Sequence, residues 1–171
     1  KKNKFFSNFI KNRHFIFTIF EPKGINWKVQ LLHEAKIVIL NKLPTATEHW
    51  ILKTMDEVIQ ITKDIKAGNI KPIYFFMGEE PYYIDKLTDF IEQNVLQEHE
   101  RDFNQSILYG RDVTMEDVIG SAKRFPMMAD RQVVVVREAQ ELSRTIDKLE
   151  AYAENPQPTT VLVFAYKYKT L

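Results

Sequence analysis

Cysteine is absent from this chain of 171 residues, which excludes disulfide frameworks and cysteine-based zinc sites. Long apolar runs are absent from its N-terminal part. The run FIFTIF (Phe15 to Phe20) is far shorter than the roughly 20 residues that a membrane-spanning helix needs. Lys11, Arg13 and His14 precede it and no small-residue cleavage site follows, so the segment does not match a secretory signal peptide. These absences argue against a membrane protein, and we expect a cytoplasmic location.

The charges divide the chain into two parts. Residues 1–54 contain 10 Lys or Arg and 3 Asp or Glu, a net of +7, whereas residues 55–171 contain 14 and 20, a net of −6. We expect residues 1–54 to be a basic, aromatic-rich extension that is disordered or not native to the protein. Such a segment could also contact nucleic acid, and that alternative stays open. Residues 55–171 are expected to form one domain, a fragment truncated at its C-terminal end.

From Met55 onward, helical and strand patterns alternate in the order α-β-α-β-α-β-α-β. The predicted helices cover residues 55–68, 81–96, 114–125 and 141–153, with Pro81 in a first turn and Thr114 as an N-cap. The predicted strands are the apolar runs PIYFFMG, FNQSILYG, RQVVVVREA and VLVFAY. Strands separated by helices of this length predict an α/β fold, a parallel sheet with flanking helices.

The first strand ends in a loop that has the layout of a phosphate site without its chemistry. A phosphate loop reads GxxxxGK[ST], in which backbone N–H groups and a lysine hold the phosphates and a hydroxyl binds Mg²⁺. Counting from Gly78, those later positions are Tyr83, Ile84 and Asp85. Carboxylates of this acidic loop would lie near the phosphates, and each such repulsion is about 4 kcal/mol at 4 Å and an effective dielectric of 20. The sequence therefore predicts a degenerate nucleotide loop.

The strand that would hold magnesium is also altered. Four apolar residues are normally followed by an acidic pair whose first Asp lies near the metal. In this chain Val133 to Val136 are followed by Arg137 and Glu138, and an arginine repels a metal ion. ATP hydrolysis is therefore not expected. Glu79 and Glu80 favour a helix N-terminus over catalysis, and the four histidines lack metal-ligand spacing. No catalytic residue, metal site or cofactor is predicted.

The most distinctive connection is the segment RFPMMADRQ (Arg124 to Gln132), whose residues 124–131 we call the FPMM loop. Connections normally run over the surface, and methionine is frequent on adaptable binding surfaces. Two interpretations remain open from the residues alone. Phe125, Met127 and Met128 either pack beneath the sheet or form a binding surface.

Three segments resemble the N-terminal domain of the bacterial DNA polymerase III delta subunit family, a component of clamp loaders. They are IYFFMGEEPYYID, SAKRFPMMADRQVVVV and TTVLVFAY, and the second includes the signature Ala129, Asp130, Arg131 and Gln132. The resemblance extends from Met55 to Leu171 and includes nothing earlier. It implies an AAA+-like, P-loop-type domain that has lost ATP binding, in agreement with the altered positions described above.

The resemblance also implies a role and partners. The hydrophobic loop of this family inserts into the sliding clamp and opens the ring, which would make Phe125, Pro126, Met127 and Met128 the clamp-binding residues. Met127 and Met128 stand where the family often has Leu-Phe, so the apolar character is kept. The other implied partners are the gamma or tau and delta prime subunits, and DNA in the assembled complex. The alternatives are a divergent P-loop ATPase and a nucleic-acid-binding domain that uses residues 1–54.

Overall fold

A computed structural model of the chain describes residues 16–20, 56, 58–78 and 81–168. The rest of the predicted extension, the Glu79–Glu80 pair and the chain end lie outside the described residues. Strand β1 is Ile16–Phe20, helix α1 includes residues 58–66, and strand β2 is Ile73–Gly78. The following elements are α2 (Pro81–Asn94), α3 (Glu98–Asn104), β3 (Gln105–Tyr109), α4 (Met115–Ala122), β4 (Gln132–Arg137), a 3₁₀ helix (Ala139–Lys148), α5 (Leu149–Ala153) and β5 (Thr160–Lys167).

The described strands form one sheet in the order β1-β2-β5-β4-β3. The last four are parallel, as the alternating pattern predicted. Strand β1 is antiparallel to β2, with Ile16 opposite Met77 and Phe20 opposite Ile73. This strand lies within the basic N-terminal segment and was not predicted from the sequence.

The core lies on both faces of the sheet. Strands β2, β4 and β5 are buried along almost their whole length, which explains their continuous apolar sequences. Side chains alternate between the faces: Phe75, Val134 and Phe164 pack beneath α4 and the 3₁₀ helix. Their neighbours Tyr74, Val135 and Val163 belong to the second cluster, which contains residues of α1 and α2.

Local chemistry accounts for the start of α4. The Thr114 hydroxyl accepts the Asp117 N–H at 3.2 Å, and the Asp117 carboxylate accepts the Thr114 N–H at 2.9 Å. This reciprocal capping box confirms Thr114 as the predicted N-cap and provides partners for N–H groups that a helix start leaves open.

Two segments differ in detail from the predicted elements. Helix α3 was not predicted, and its last residues, Phe103 and Asn104, had been assigned to the following strand. Its start is stabilised by Glu100, whose carboxylate accepts the Gln97 N–H at 2.9 Å. The single helix predicted over residues 141–153 is a 3₁₀ helix followed by α5. Both differences are local and leave the order of the strands unchanged.

Two findings concern membranes and metals. In the described part of the chain, no helix is both long enough and apolar enough to cross a bilayer. Among the same residues, no group of three or more His, Asp or Glu side chains is placed to hold a metal ion.

Candidate functional site

The positions that correspond to a phosphate loop lie at the carboxyl edge of the sheet, where open α/β sheets usually bind ligands. Gly78 is the last residue of β2, and Tyr83, Ile84 and Asp85 lie near the start of α2. Ile84 occupies the position of the phosphate-loop lysine, and its side chain is completely buried in the core. Asp85 stands at the hydroxyl position and forms an ion pair with Lys167 at the end of β5. Both side chains are thus engaged within the domain, Ile84 in the core and Asp85 in an ion pair.

Arg137, at the end of β4, forms ion pairs with α2. Its Nη2 lies 2.7 Å from Asp89 Oδ1 and 2.7 Å from Glu92 Oε1, and its Nε donates to the same Glu92 oxygen at 3.2 Å. Burial lowers the pKa of Arg137, but the hydrogen bonds to Asp89 and Glu92 outweigh it, so that this pKa is raised above its ordinary value. The adjacent Glu138 has φ 54°, in the left-handed region. Arg137 is thus paired with two carboxylates. In a magnesium site, a carboxylate that binds the metal ion would stand at this position.

Asp85, Asp89 and Glu92 share one face of α2, because they are separated by four and then three residues. This acidic face meets the basic side chains at the ends of β5 and β4, Lys167 and Arg137. The ion pairs join the carboxyl ends of β5 and β4 to α2. The cations of this edge are therefore paired with the protein's own carboxylates.

The FPMM loop projects three large apolar side chains into solvent. Phe125 is 79% exposed, Met127 59% and Met128 101%, while Pro126 is only partly exposed. The three side chains therefore do not pack beneath the sheet, which was one of the two interpretations left open by the residues. Adjacent exposed apolar side chains of this size on one short loop are typical of a binding surface.

The backbone of the loop is held from beneath by Asn104, the last residue of α3. The Met127 N–H donates to Asn104 Oδ1 at 2.6 Å, and Asn104 Nδ2 donates to the Met127 carbonyl at 2.9 Å. The same amide nitrogen also donates to the Glu100 carbonyl at 3.0 Å. Asn104 is 4% exposed, so one buried carboxamide pairs with both polar groups of a loop residue whose side chain remains in solvent.

A second polar cluster holds the start of the loop. Gln132, the first residue of β4, donates from Nε2 to the Arg124 carbonyl and to Thr160 Oγ1. Thr160 in turn donates to the Ala122 carbonyl at 2.8 Å, and the Tyr152 hydroxyl donates to the same oxygen at 3.3 Å. The final carbonyls of a helix have no partner within it, so this cluster both satisfies the end of α4 and orients the departing chain.

Met128 has φ 52°, a left-handed conformation that non-glycine residues rarely adopt. Such a conformation costs on the order of 1–3 kcal/mol and persists where the surroundings impose it. The Met128 side chain is fully exposed, so its own packing provides no compensation. The hydrogen bonds of the adjacent Met127 are the nearest constraint.

The predicted site residues thus fall into two groups at opposite edges of the parallel strands. The FPMM loop precedes β4, and Arg137 ends it. Six strand residues at about 3.3 Å each separate the two ends by roughly 17 Å. The sequence had predicted the loop and the altered phosphate-loop and metal-site positions, and it had included Gln132 in a signature without a role. It had not identified Asn104, because a lone asparagine carries no local signal of a contact 23 residues away.

Comparisons with known proteins identify a family and a related structure. The family model described as DNA polymerase III, delta subunit, matches residues 74–171. The DNA polymerase III subunit delta of Bacillus subtilis (strain 168) is 28% identical over 123 residues, which cover 67% of this chain and 35% of that protein. The solved structure of the Bacillus subtilis DNA clamp loader delta protein aligns with a TM-score of 0.57 and 28% identity, covering 64% of this chain and 36% of that one. The chain thus spans 35–36% of the length of these relatives.

Proposed function

The chain belongs to the DNA polymerase III delta subunit family, and from that premise we propose that its α/β domain binds a sliding clamp through the FPMM loop and opens the ring during DNA replication. The contacting side chains are Phe125, Met127 and Met128, and Pro126 shapes the turn between them. The domain acts as part of a clamp loader in the cytoplasm and hydrolyses no ATP of its own. Its further partners are the gamma or tau and delta prime subunits, and DNA in the assembled complex.

The observation that carries the proposal is the exposure of Phe125, Met127 and Met128 on a loop whose backbone is hydrogen-bonded from beneath. Apolar side chains that enter a pocket on a partner supply most of the energy of an interface. A loop that already has its bound shape loses less conformational entropy on binding. Both properties suit a loop that inserts into a cleft of the clamp.

Ring opening follows if the loop binds one form of the clamp better than the other. A ligand shifts a two-state equilibrium only by its differential affinity for the two states. The FPMM loop would bind more tightly to a clamp in which one subunit interface is relaxed, so binding would raise the population of open rings. Because the step needs binding energy alone, this domain requires no nucleotide chemistry.

The decisive variant replaces Met127 and Met128 together by alanine. Truncation of central apolar contacts typically costs about 2 kcal/mol or more, which corresponds to a roughly thirtyfold rise in Kd. The variant's free energy of unfolding should change by no more than about 0.5 kcal/mol, because both side chains are largely exposed. The measurement is a calorimetric titration of the full chain against the sliding clamp of its source organism.

Ile59→Ala is the matched control, since Ile59 is an apolar side chain that is 44% exposed on α1, outside the FPMM loop. The control should bind the clamp with unchanged affinity. If the Met127→Ala, Met128→Ala chain also binds as tightly as the unsubstituted chain, the FPMM loop is not the clamp-binding element.

The proposal that ATP is not used has its own test. Buried Ile84 and the paired side chains of Asp85 and Arg137 support it. Calorimetry with Mg-ATP should give no heat of binding at micromolar nucleotide. Saturable binding in that range would instead support the divergent ATPase.

A further inference from the structure

Asn104 pairs with both backbone polar groups of one residue of the FPMM loop, Met127. Its carbonyl oxygen accepts the Met127 N–H and its amide nitrogen donates to the Met127 carbonyl, at 2.6 and 2.9 Å. A carboxamide offers an acceptor and a donor side by side in one plane and carries no charge. The hydrogen bonds from Asn104 to the loop therefore go to the backbone of Met127, a residue whose apolar side chain is exposed.

Asn104 lies on a different element from the loop and is itself firmly held. It is 4% exposed at the junction of α3 and β3, and its amide nitrogen also donates to the Glu100 carbonyl one turn earlier. Gln132 holds the other end of the loop through the Arg124 carbonyl. Between these two points only Phe125 and Pro126 intervene.

The pairing also accounts for the conformation of Met128. This residue has φ 52° although its side chain is completely exposed, so no side-chain packing fixes its backbone. The conformation is instead constrained through Met127, whose N–H and carbonyl are both bonded to Asn104. Loss of these two bonds would release Met127 and Met128 to ordinary backbone conformations and would redirect their side chains.

We infer that Asn104 is a positioning residue for partner binding: its carboxamide holds Met127 and Met128 in the binding-competent orientation before the clamp arrives. This inference rests on the proposed function of the FPMM loop. The apparent Kd of a ligand equals its intrinsic Kd divided by the fraction of protein in the competent conformation. If loss of the Asn104 pairing leaves about one tenth of the chains competent, the Kd rises about tenfold.

The test is Asn104→Asp in the full chain. A carboxylate still accepts the Met127 N–H, but it cannot donate to the carbonyl of Met127 or to that of Glu100. We expect clamp affinity to weaken about tenfold. We also expect the Met127 amide to exchange with solvent at least about tenfold faster than in the unsubstituted chain. Far-ultraviolet circular dichroism of the variant should remain that of the folded chain.

Asn94→Asp is the matched control. Asn94 also donates to the carbonyl four residues earlier, that of Phe90, at 2.8 Å, but it lies exposed on α2 and has no bond to the loop. Its substitution removes the same kind of helix bond and adds the same charge. Clamp affinity and Met127 exchange should both remain unchanged in this control.

The outcomes separate this inference from the proposed function. If Met127→Ala with Met128→Ala loses clamp binding while Asn104→Asp keeps full affinity, Asn104 does not position the loop. If the double alanine variant keeps full affinity, the proposed function fails whatever Asn104 does. If Asn104→Asp does not fold, the test is hydrogen exchange of the Met127 amide in the unsubstituted chain. A protected amide supports the pairing with Asn104, and an unprotected amide overturns it.

Discussion

Arg137 Nη2, at the end of β4, lies 2.7 Å from Glu92 Oε1 on α2. This contact joins the carboxyl edge of the sheet to the helix. The Glu92 side chain is only 13% exposed and the Arg137 side chain 23%, so the pair is largely shielded from solvent. Asp89 completes the group at 2.7 Å from the same nitrogen. An arginine that would repel a metal ion thus has a structural role at this position.

Arg137→Met should destabilise the domain by about 1–2 kcal/mol, because Glu92 and Asp89 lose their cation while Glu92 stays mostly buried. The measurement is a lower midpoint of urea unfolding with an unchanged m-value. Arg111→Met is the control, since the Arg111 side chain is 65% exposed and lies 3.6 and 3.8 Å from its carboxylate partners. Its cost should stay below about 0.5 kcal/mol, and equal effects of the two substitutions would contradict the structural role of Arg137.

Thr114→Val should cost about 1 kcal/mol, because α4 loses the hydroxyl that caps its start. Thr62→Ala is the control: the Thr62 hydroxyl only donates to the Ile59 carbonyl within α1, and alanine is the better helix former. The comparison is made by urea unfolding. Equal losses of stability in Thr62→Ala and Thr114→Val would show that the cap does not stabilise α4.

The same cap predicts a pH effect. Hydrogen bonds from the Thr114 hydroxyl and then from its N–H lower the pKa of Asp117 below the ordinary value. The ionised Asp117 carboxylate therefore stabilises the folded chain above the unfolded-state pKa of about 3.9, and this contribution is lost as the pH falls through the lower folded-state pKa. Carboxyl-carbon NMR titration should give a low midpoint for Asp117 that returns toward the ordinary value in Thr114→Val. An ordinary midpoint in the unsubstituted chain would show that the cap is not formed in solution.

Gly110→Ala and Gly120→Ala should have opposite effects. A Cβ at Gly110 would lie 2.4 Å from the backbone oxygen of Glu138, which cannot move aside as a side chain can. The expected cost is about 1–3 kcal/mol. A Cβ at Gly120 meets nothing within 4 Å in α4, and alanine there should stabilise by about 0.5–1 kcal/mol. Thermal melts of the two variants should shift in opposite directions, and parallel shifts would refute the close approach at Gly110.

Three of the seven tyrosines should ionise late in an alkaline titration. Burial raises the pKa of Tyr74, Tyr152 and Tyr166, and the neutral form is therefore favoured in the folded chain. Their contribution to stability is fully present below the unfolded-state pKa of about 10 and is lost as the pH rises toward the folded values. Phenolate absorbance of the folded chain should continue to rise above about pH 10, and Tyr152→Phe should reduce this late rise. Absence of a late rise in the folded protein would contradict this burial.

Much of the fold could be predicted because strands buried on both faces are continuous apolar runs, whereas amphipathic helices repeat their apolar residues every three or four positions. The valine run of β4 and the apolar spacing of α2 show this clearly. Helix α3 was missed because it is only seven residues long and lacks an apolar face of its own. Strand β1 was missed because its pairing with β2 joins segments more than 50 residues apart.

The sequence by itself determined the alternation of helices and parallel strands, the cap at Thr114, and which residue types stand at the phosphate-loop and metal-site positions. Each of these depends on which residue occupies a place in a local pattern. Only the tertiary structure decided that Arg137 would pair with Asp89 and Glu92, and that Phe125, Met127 and Met128 would face solvent above Asn104. Burial and hydrogen bonding depend on segments distant along the chain, and no local pattern of residues encodes that proximity.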